Sequence, residues 1–279
     1  MKYLETLFNI EDKVAVLTGG AGILAGEMAK AFLNAGAKVV LLDINEENLK
    51  KKTDSFQKKD SEVIGLKCNV LDLYNLKKVQ EEITKKFKRI DILINAAGGN
   101  MPGATIGIDQ TVFDLEIEQI KKVTDLNLNG SILPTLIFGK VMAEQKKGSI
   151  INISSMASYR VISRVVGYSA AKAAIDNFTK WMAVEMSQKF GNGIRVNAIA
   201  PGFLITEQNR TLLTNKDGSL TDRGKAVINL TPFKRFGEPE ELVGTILWLA
   251  SDASNLCAAV SGSKGRVSKH AINWSTAPF

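Results

Sequence analysis

The chain has 279 residues, of which 45% are hydrophobic and 23% are charged, and its formal net charge is +7. This composition is ordinary for a globular protein with a sizeable core, and the length allows one large α/β domain. No run of about 18 apolar residues is present, so we expect no transmembrane helix. The N-terminal segment lacks the apolar stretch of a signal peptide, and two distant cysteines, Cys68 and Cys257, fit a reducing compartment. We therefore expect a cytoplasmic protein.

The positive charge does not by itself predict a nucleic-acid partner. Most lysines mix with acidic residues, as in residues 46–60, and such segments are usually solvated helix faces. The single histidine, His270, lies in a basic tail beyond Asp252, the last acidic residue. No cysteine or histidine motif has metal-ligand spacing. We expect no metal, no nucleic acid and no membrane as partners, and proton chemistry that uses a side chain other than histidine.

Short apolar runs alternate with longer helical patterns along most of the chain. The predicted strands lie at 13–18, 38–43, 62–70, 91–96, 148–154 and 194–200. The predicted helices lie at 23–35, 46–58, 72–88, 116–145, 166–190 and 238–250. Near-continuous apolar strands joined by helices indicate a parallel sheet covered on both faces. Because the crossovers are right-handed, we predict an α/β fold with a single doubly wound, Rossmann-like parallel sheet and helices on both faces.

Two connections are longer than the others and lie at 99–115 and 203–237. Long loops in compact domains are usually lids, binding loops or disordered segments. Short helical patterns inside the second connection favour a lid. Ligands of doubly wound sheets bind beyond the carboxyl ends of the strands, so we expect the functional residues just after each strand.

A glycine-rich segment, "VLTGGAGILAG", follows the first predicted strand and opens the first helix. Its glycines permit a tight turn and the close approach of a diphosphate to backbone N–H groups at a helix N-terminus. A purely structural glycine turn is the alternative. Asp43 ends the second strand, where a carboxylate can accept both hydroxyls of an adenine ribose and repel a 2′-phosphate, which favours NAD over NADP. Alternatively, Asp43 caps the next helix, which is compatible with either cofactor.

Tyr168 and Lys172 lie one helical turn apart, so their side chains share a face. A phenol is a poor acid–base group near neutrality, and a neighbouring cation favours tyrosinate and lowers the pKa of the phenol. Ser155 can hydrogen-bond a substrate oxygen and hold it near Tyr168. A tyrosine–lysine pair alone is more often a surface pair without a role, so the assignment depends on the motifs around it.

From about residue 8 to residue 252 the chain resembles the short-chain dehydrogenase/reductase family. The resemblance is carried by "TGGAGILAG", "NAAG" (95–98), "NLNG" (127–130), "PGFLIT" (201–206) and a serine 13 residues before Y-x-x-x-K. It implies a ketone reductase or alcohol dehydrogenase with the catalytic residues Asn127, Ser155, Tyr168 and Lys172. It also implies that Lys172 binds the nicotinamide ribose and that Asn127 holds a water linking Lys172 to solvent.

The cofactor-binding residues that follow from these motifs and from the placement of Asp43 are Gly19, Gly22, Ile23, Leu24, Asp43, Asn69, Val70, Asn95, Ala96, Ala97, Gly98, Tyr168, Lys172, Pro201, Gly202 and Thr206. Two positions depart from the family pattern. Gly22 stands one place before the usual second glycine, which falls at Ile23. Asn69 stands where an aspartate often touches the adenine, and its amide can still hydrogen-bond the base.

Arginine and amide side chains near the reactive positions predict an acidic polyol as substrate. Guanidinium groups suit bidentate recognition of a carboxylate, and amides suit sugar hydroxyls. The predicted substrate residues are Asn100, Arg160, Arg164, Gln208 and Arg210, although each arginine could instead face solvent or a neighbouring subunit. The lid and the 95–105 loop resemble the mannonate oxidoreductase (fructuronate reductase) branch of the family.

Two alternatives to this substrate assignment stay open. One is another sugar-acid or polyol dehydrogenase, such as a gluconate 5-dehydrogenase. The other is a catalytically silent, NAD-binding sensor on the same fold, against which the retained catalytic residues argue.

The resemblance divides the chain into an NAD-binding and catalytic domain at 1–252, with its lid at 203–237, and an atypical basic tail at 253–279. Family members usually form homo-oligomers, and we expect a dimer or tetramer. The segment after "SDAS" (251–254) lacks acidic residues, so we predict that 263–279 does not form the family's final buried strand and turn. The alternative is that 256–262 still pairs with the sheet and the remainder does not pack.

Overall fold

The computed structural model describes residues 2–57, 62–107, 109–206, 209–258 and 261–262. Within these residues, seven strands form one sheet in the order β3-β2-β1-β4-β5-β6-β7, and every pairing is parallel. The strands are β1 Val14–Thr18, β2 Lys38–Asp43, β3 Val63–Lys67, β4 Ile92–Asn95, β5 Gly148–Ile153, β6 Ile194–Ile199 and β7 Ser261–Gly262. The chain order reverses between β1 and β4, which opens a crevice at their carboxyl ends. The predicted doubly wound α/β fold is confirmed.

Ten α-helices precede or connect the described strands. They are α1 Lys2–Leu7, α2 Ile23–Asn34, α3 Glu46–Phe56, α4 Leu73–Phe87, α5 Ile117–Thr124, α6 Gly130–Gln145, α7 Val166–Phe190, α8 Arg210–Leu213, α9 Asp222–Leu230 and α10 Val243–Ala250. Short 3₁₀ turns lie at Pro102–Ala104, Val112–Asp114, Met156–Ser158, Pro239–Leu242 and Asp252–Ser254. Within the described residues, no helix combines the length and the apolar character needed to span a bilayer.

The single helix predicted at 116–145 is wrong in one respect. A π-helical turn, Asp125–Asn129, separates α5 from α6. The side chain of Asn127 donates from Nδ2 to the carbonyl oxygens of Val123, at 2.8 Å, and of Gly99, at 2.6 Å. These bonds join the wide turn to the loop after β4, which a regular helix pattern in the sequence does not reveal. Such turns are frequent at functional sites.

The alternating side chains of β1 point into two separate cores, one on each face of the sheet. Ala15 and Leu17 belong to the core under α2 and α10, whereas Val14 and Val16 belong to the core under α4, α6 and α7. All four side chains are at most 1% exposed. Burial on both faces explains why the strands read as continuous apolar runs rather than as alternating ones.

The predicted lid is anchored at its two ends to one point of the fold. Leu204 and Gly237 form an isolated parallel bridge, and the Gly237 N–H donates to the Phe203 carbonyl oxygen at 2.9 Å. Between these ends, α8 and α9 are linked by an antiparallel bridge between Thr214 and Leu220. The 203–237 segment therefore leaves the sheet and returns to the same place, with its two ends paired. Its role as a lid stays a prediction.

The last described strand is only two residues long. Ser261 and Gly262 pair in parallel with Ala198 and Ile199 of β6. This pairing agrees with the alternative in which the segment up to 262 still joins the sheet. The prediction made for 263–279 lies outside the described residues and stays a prediction.

Arg195 on β6 holds the end of α10 from inside the protein. It is 6% exposed and donates to the carbonyl oxygens of Leu249, at 2.8 Å, and Ser251, at 3.1 Å, and to Ser254 Oγ at 2.6 Å. We expect Arg195→Met to lower the free energy of unfolding by about 3 kcal/mol, because these buried acceptors lose a charged donor. Urea unfolding at one fixed protein concentration measures the change.

The matched control for this prediction is Lys77→Met, which removes an exposed cation from α4. It should change the unfolding free energy by less than about 0.5 kcal/mol. Equal effects of the two substitutions would show that the Arg195 hydrogen bonds do not stabilise this end of the sheet.

Candidate active site

The loop between β1 and α2 has the geometry of an anion site. Gly19 has φ +65°, and a Cβ there would come within 3.0 Å of the backbone of Ala97. Gly22 is the N-cap of α2 and offers no side-chain cap, and the first turn contains no acidic residue. The N–H groups at this helix N-terminus, next to Ile23 and Leu24, therefore suit a diphosphate, as predicted for a dinucleotide.

Asp43 lies at the carboxyl end of β2 and holds the glycine loop. Its Oδ2 accepts a hydrogen bond from the Ala21 N–H at 3.0 Å, and its Oδ1 accepts one from the Asn45 N–H at 2.9 Å. The N-cap of α3 is Asn45, whose side chain accepts from the Asn48 N–H. The alternative in which Asp43 caps α3 is therefore wrong, and its carboxylate lies beside the loop where a ribose contact is expected.

Asn69 and Val70 follow β3, at the same edge of the sheet. The Oδ1 of Asn69 accepts from the Leu71 N–H at 3.0 Å, which fixes the orientation of the amide. Val70 is buried. Their predicted contacts with the adenine stay predictions.

The "NAAG" segment after β4 joins the core to the site. The Asn95 Nδ2 donates to Thr135 Oγ1 on α6 and to Asn152 Oδ1 on β5, both at 2.8 Å. This side chain faces the core, so the predicted contact of Asn95 with the cofactor would be made by its backbone atoms. The N–H groups of Ala96 and Ala97 donate to Thr18 Oγ1 at 3.0 and 3.1 Å and keep the segment against β1.

Gly98 lies where no side chain fits. A Cβ at this position would come within 2.6 Å of Asn127 Oδ1 and 3.4 Å of Lys172 Nζ. Asn127 is fully buried, and its Oδ1 also accepts from the Gly99 N–H at 3.1 Å. The structure thus brings the predicted residues Gly98, Asn127 and Lys172 together, and the side chain of Asn127 is engaged by backbone groups.

Ser155 and the Tyr168–Lys172 pair meet at the carboxyl end of β5. Ser155 begins the Met156–Ser158 turn, and its Oγ accepts from the Ala157 N–H at 3.1 Å. Lys172 is 4% exposed, donates from Nζ to the Ile153 carbonyl oxygen at 2.7 Å, and lies 5.6 Å from the ring centroid of Tyr168. The pair is therefore not a surface pair. Tyr168 and Lys172 are held by α7, and Ser155 is held by the turn that follows β5.

The charge states of this pair differ from the sequence-based expectation. Burial raises the pKa of the Tyr168 phenol above its ordinary value, and the Ser155 hydroxyl acts in the opposite direction. Burial also lowers the pKa of Lys172 to about 8, which the carboxylate of Asp176 opposes. The pKa of Tyr168 is therefore raised rather than lowered, because desolvation of the phenol outweighs the opposing effects. The expected stabilisation of the tyrosinate by Lys172 stays a prediction. Tyr168 is a protonated donor near neutral pH.

A cavity of about 1060 Å³ lies between residues 156–163 and α9 of the lid. Met156, the residue after Ser155, is part of its wall, whereas Ser155, Tyr168 and Lys172 are not. Three arginines line it, namely Arg160, Arg223 and Arg235. Arg235 is paired with Glu241 through two hydrogen bonds of 2.9 and 2.8 Å.

Arg160 and Arg223 have no carboxylate within ion-pair distance in the part of the chain that the structure describes. Burial and the nearby Arg164 lower the pKa of Arg223. The uncompensated positive charge of this wall suits an anion.

Other predicted substrate residues have different positions. Arg164 has φ +76°, and its Nε donates to the Ile106 carbonyl oxygen, so it anchors the 99–115 connection instead of lining the cavity. Arg210 is exposed on α8 and is also absent from the cavity wall. Of the three predicted arginines, Arg160 lines this cavity, and the predicted substrate contacts of Arg160, Arg164 and Arg210 stay predictions. Asn100 donates to Thr105 Oγ1, and its buried Oδ1 has no hydrogen-bond partner among the described residues. The predicted contact of Gln208 lies outside the described residues.

The segment after β6 forms one border of the cavity. Pro201 accepts a hydrogen bond from the Met156 N–H at 3.1 Å, and Gly202 lines the cavity. Thr206 donates its N–H to Asn209 Oδ1 at 2.8 Å. Their predicted contacts with the nicotinamide stay predictions.

No group of three or more His, Cys, Asp or Glu side chains within the described ranges could hold a metal ion.

Arg223 was missed from the sequence because nothing local marks it. It lies in the lid 60 residues beyond Ser163, whose carbonyl oxygen accepts from its Nη2 at 3.4 Å. An arginine inside a predicted lid was the available signal.

Comparison with known proteins covers nearly the whole chain. A family model described as enoyl-(acyl carrier protein) reductase matches residues 20–263. The chain is 40% identical over 253 residues to an uncharacterised oxidoreductase, UxuB, of Bacillus subtilis (strain 168), with 88% of this chain and 90% of that protein covered. It is 38% identical over 249 residues to the NAD-dependent glycerol dehydrogenase of Listeria innocua, with 89% and 91% covered.

A solved structure is similar over the same length. It is that of a Haemophilus influenzae protein with bound NAD, proposed to be a D-mannonate oxidoreductase. The two chains are 41% identical and superpose with a TM-score of 0.85, covering 91% of this chain and 94% of that one.

Proposed function

The chain belongs to the short-chain dehydrogenase/reductase family, and from this membership we propose that it interconverts a ketone and a secondary alcohol on a sugar acid, with fructuronate and mannonate as the expected pair. The family predicted from the sequence is confirmed, as are an NAD-dependent oxidoreductase as the enzyme class and NAD as the cofactor. The identity of the substrate is the proposal.

The residues around Ser155 supply the proton chemistry. NADH, when bound, supplies the hydride. Tyr168 donates its phenolic proton to the carbonyl oxygen of the substrate, and burial keeps that proton in place until then. Ser155 Oγ hydrogen-bonds the same oxygen and orients it. Lys172, whose Nζ lies over the Tyr168 ring, stabilises the tyrosinate that forms.

Proton return to Tyr168 is proposed to pass by Lys172 and a water near Asn127. The Asn127 side chain already bonds Gly99 and Val123, so that water requires another acceptor atom in this region. Lys172, with its pKa lowered to about 8, can exchange a proton near neutral pH.

The observation that carries the sugar-acid proposal is a pair of arginines in the cavity wall, Arg160 and Arg223, which have no carboxylate partner among the described residues. Arg160 lies four residues after Met156, which itself follows Ser155, and Arg223 faces the cavity from the lid. A carboxylate placed between them would receive charge-assisted hydrogen bonds. The Haemophilus relative, by its proposed activity on D-mannonate, supports the same substrate class.

A polyol dehydrogenase is the second candidate, because the Listeria relative is a glycerol dehydrogenase. A steady-state assay with NADH and a panel of keto-sugar acids, matched by neutral keto-sugars, separates the two. The proposal expects reduction of fructuronate with the highest kcat/KM of the panel. A clear preference for the neutral ketones would contradict it, and binding of NADH without any turnover would favour a sensor.

Cofactor preference tests the role of Asp43. We expect Asp43→Ala to narrow the preference for NADH over NADPH by about tenfold or more, because it removes both a charged acceptor for the ribose and a charge that repels a 2′-phosphate. The ratio of kcat/KM for the two cofactors measures this. Asp54→Ala, an exposed change on α3, should leave the ratio unaltered. A wild-type protein that prefers NADPH would contradict the assignment.

The proposal also covers the domain division, the oligomeric state and the cellular location of the protein. The chain divides into a catalytic domain at 1–252, with its lid at 203–237, and a tail at 253–279. Exposed apolar side chains on α6 and α7, such as Leu136, Trp181 and Val184, support a homo-oligomer. The location is cytoplasmic, as the cysteine usage predicts.

A further inference from the structure

Asp176 is a buried carboxylate that the predicted site did not include. It lies one helical turn beyond Lys172 on α7 and is 7% exposed. Residues at this spacing share a helix face, with Cβ atoms about 5–6 Å apart. A buried charge needs compensation, because desolvation of an unpaired carboxylate is costly.

Ser158 connects Asp176 to the catalytic serine. Its Oγ lies 2.5 Å from Asp176 Oδ2 and 2.7 Å from the Ser155 carbonyl oxygen, so Ser158 forms a bridge between the two, and its single hydroxyl proton is donated to one of these acceptors at a time. The Ser158 N–H also donates to the Ser155 carbonyl oxygen at 3.0 Å. Ser155 is the first residue of this turn, so the position of its Oγ depends on how firmly the turn is held against α7.

Among the described residues, Lys172 is the cation whose pKa is affected by the charge of Asp176. Tyr159 also faces the carboxylate, and burial together with that negative charge raises the pKa of the Tyr159 phenol, which stays neutral. The carboxylate of Asp176 raises the pKa of Lys172 and so stabilises its protonated form. It opposes desolvation, which lowers the Lys172 pKa to about 8.

We propose that Asp176 is a positioning residue of the active site, which holds the Ser155–Ser158 turn through Ser158 and provides the buried negative charge that keeps Lys172 protonated. The charge of Asp176 offsets part of the desolvation of Lys172 and so favours its protonated form. Activity should therefore fall on the alkaline side as Lys172 deprotonates.

Two substitutions separate the charge from the bridge. Asp176→Asn removes the charge and keeps the shape and an acceptor for Ser158, whereas Ser158→Ala removes the bridge and keeps the charge. We expect Asp176→Asn to move the alkaline limb of kcat/KM for fructuronate reduction down by about one pH unit. Ser158→Ala should lower kcat about tenfold, through displacement of Ser155, with the limb unmoved. Asp176→Glu should restore the wild-type limb.

A second readout does not depend on the substrate. The dissociation constant of NADH, measured by fluorescence between pH 6 and pH 10, should rise at a lower pH in Asp176→Asn than in the wild type. Asp176→Ser, which also removes the charge, replaces Asp176→Asn if the amide variant does not fold. If the wild type reduces no keto-sugar acid, the proposed substrate fails while this binding experiment still decides the role of Asp176.

Two results would overturn the proposal. One is an identical pH dependence of NADH binding and kcat/KM in the wild type and the charge-removing variant. The other is an equal shift of the limb in Ser158→Ala, which would show that local structure rather than charge sets the titration.

Discussion

Tyr168→Phe is expected to lower turnover by about 10³-fold or more while NADH still binds. The substitution removes the hydroxyl that carries the proton and leaves the ring over which Lys172 Nζ lies. General acid catalysis by a positioned group is worth about 10²–10⁴ in rate. The loss should appear in kcat, since the proton is transferred in the chemical step.

The measurement combines stopped-flow or steady-state reduction with a separate titration of NADH binding. The dissociation constant should stay within about threefold of the wild type, because the glycine loop, Asp43 and Lys172 are intact. Tyr74→Phe, at a phenol that is 79% exposed, is the matched control and should leave both values unchanged. Turnover of Tyr168→Phe close to that of the control would remove Tyr168 from the acid role.

Arg223→Met is expected to raise KM for acidic substrates by about ten- to a hundredfold. A charge-assisted hydrogen bond is worth about 1.5–3 kcal/mol, and each 1.4 kcal/mol is a factor of ten in affinity. Methionine keeps much of the length of the arginine stem, so the lid retains its packing. For a neutral keto-sugar of the same shape, KM should change by less than about twofold. Arg160→Met should behave in the same way.

Arg210→Met is the control for this series, because Arg210 is an exposed arginine of the same segment outside the cavity wall. It should leave the KM values for acidic and neutral substrates unchanged. A parallel rise of both KM values in Arg223→Met would show that the arginine supports the lid rather than binding a carboxylate. A rise confined to Arg210→Met would return the carboxylate site to α8.

Local patterns in the sequence predicted the sheet and the acid–base pair. β1, β2 and β6 agree with the predicted strands to within one residue, because strands that are buried on both faces must be continuously apolar. Ser155 lies in one loop, and Tyr168 and Lys172 lie on the helix that follows it. Their spacing in the sequence was therefore sufficient to predict them as a group. The predicted helix at 116–145 differs from the structure around Asn127, where a π-helical turn interrupts it. There the Asn127 side chain is hydrogen-bonded to the distant loop after β4.

The tertiary structure alone decided which residues share the site and in which charge state. Arg164 and Arg223 could not be distinguished from the sequence, because the destination of a long side chain depends on how the lid folds back over residues 156–163. The pKa directions of Tyr168 and Lys172 follow from burial, and burial is a property of the whole packed core. Asp176 on α7 is connected to Ser155 through Ser158, whose Oγ lies within hydrogen-bond distance of both residues. Periodicity and spacing are local and remain visible in one dimension, whereas contact and desolvation exist only once distant segments have packed together.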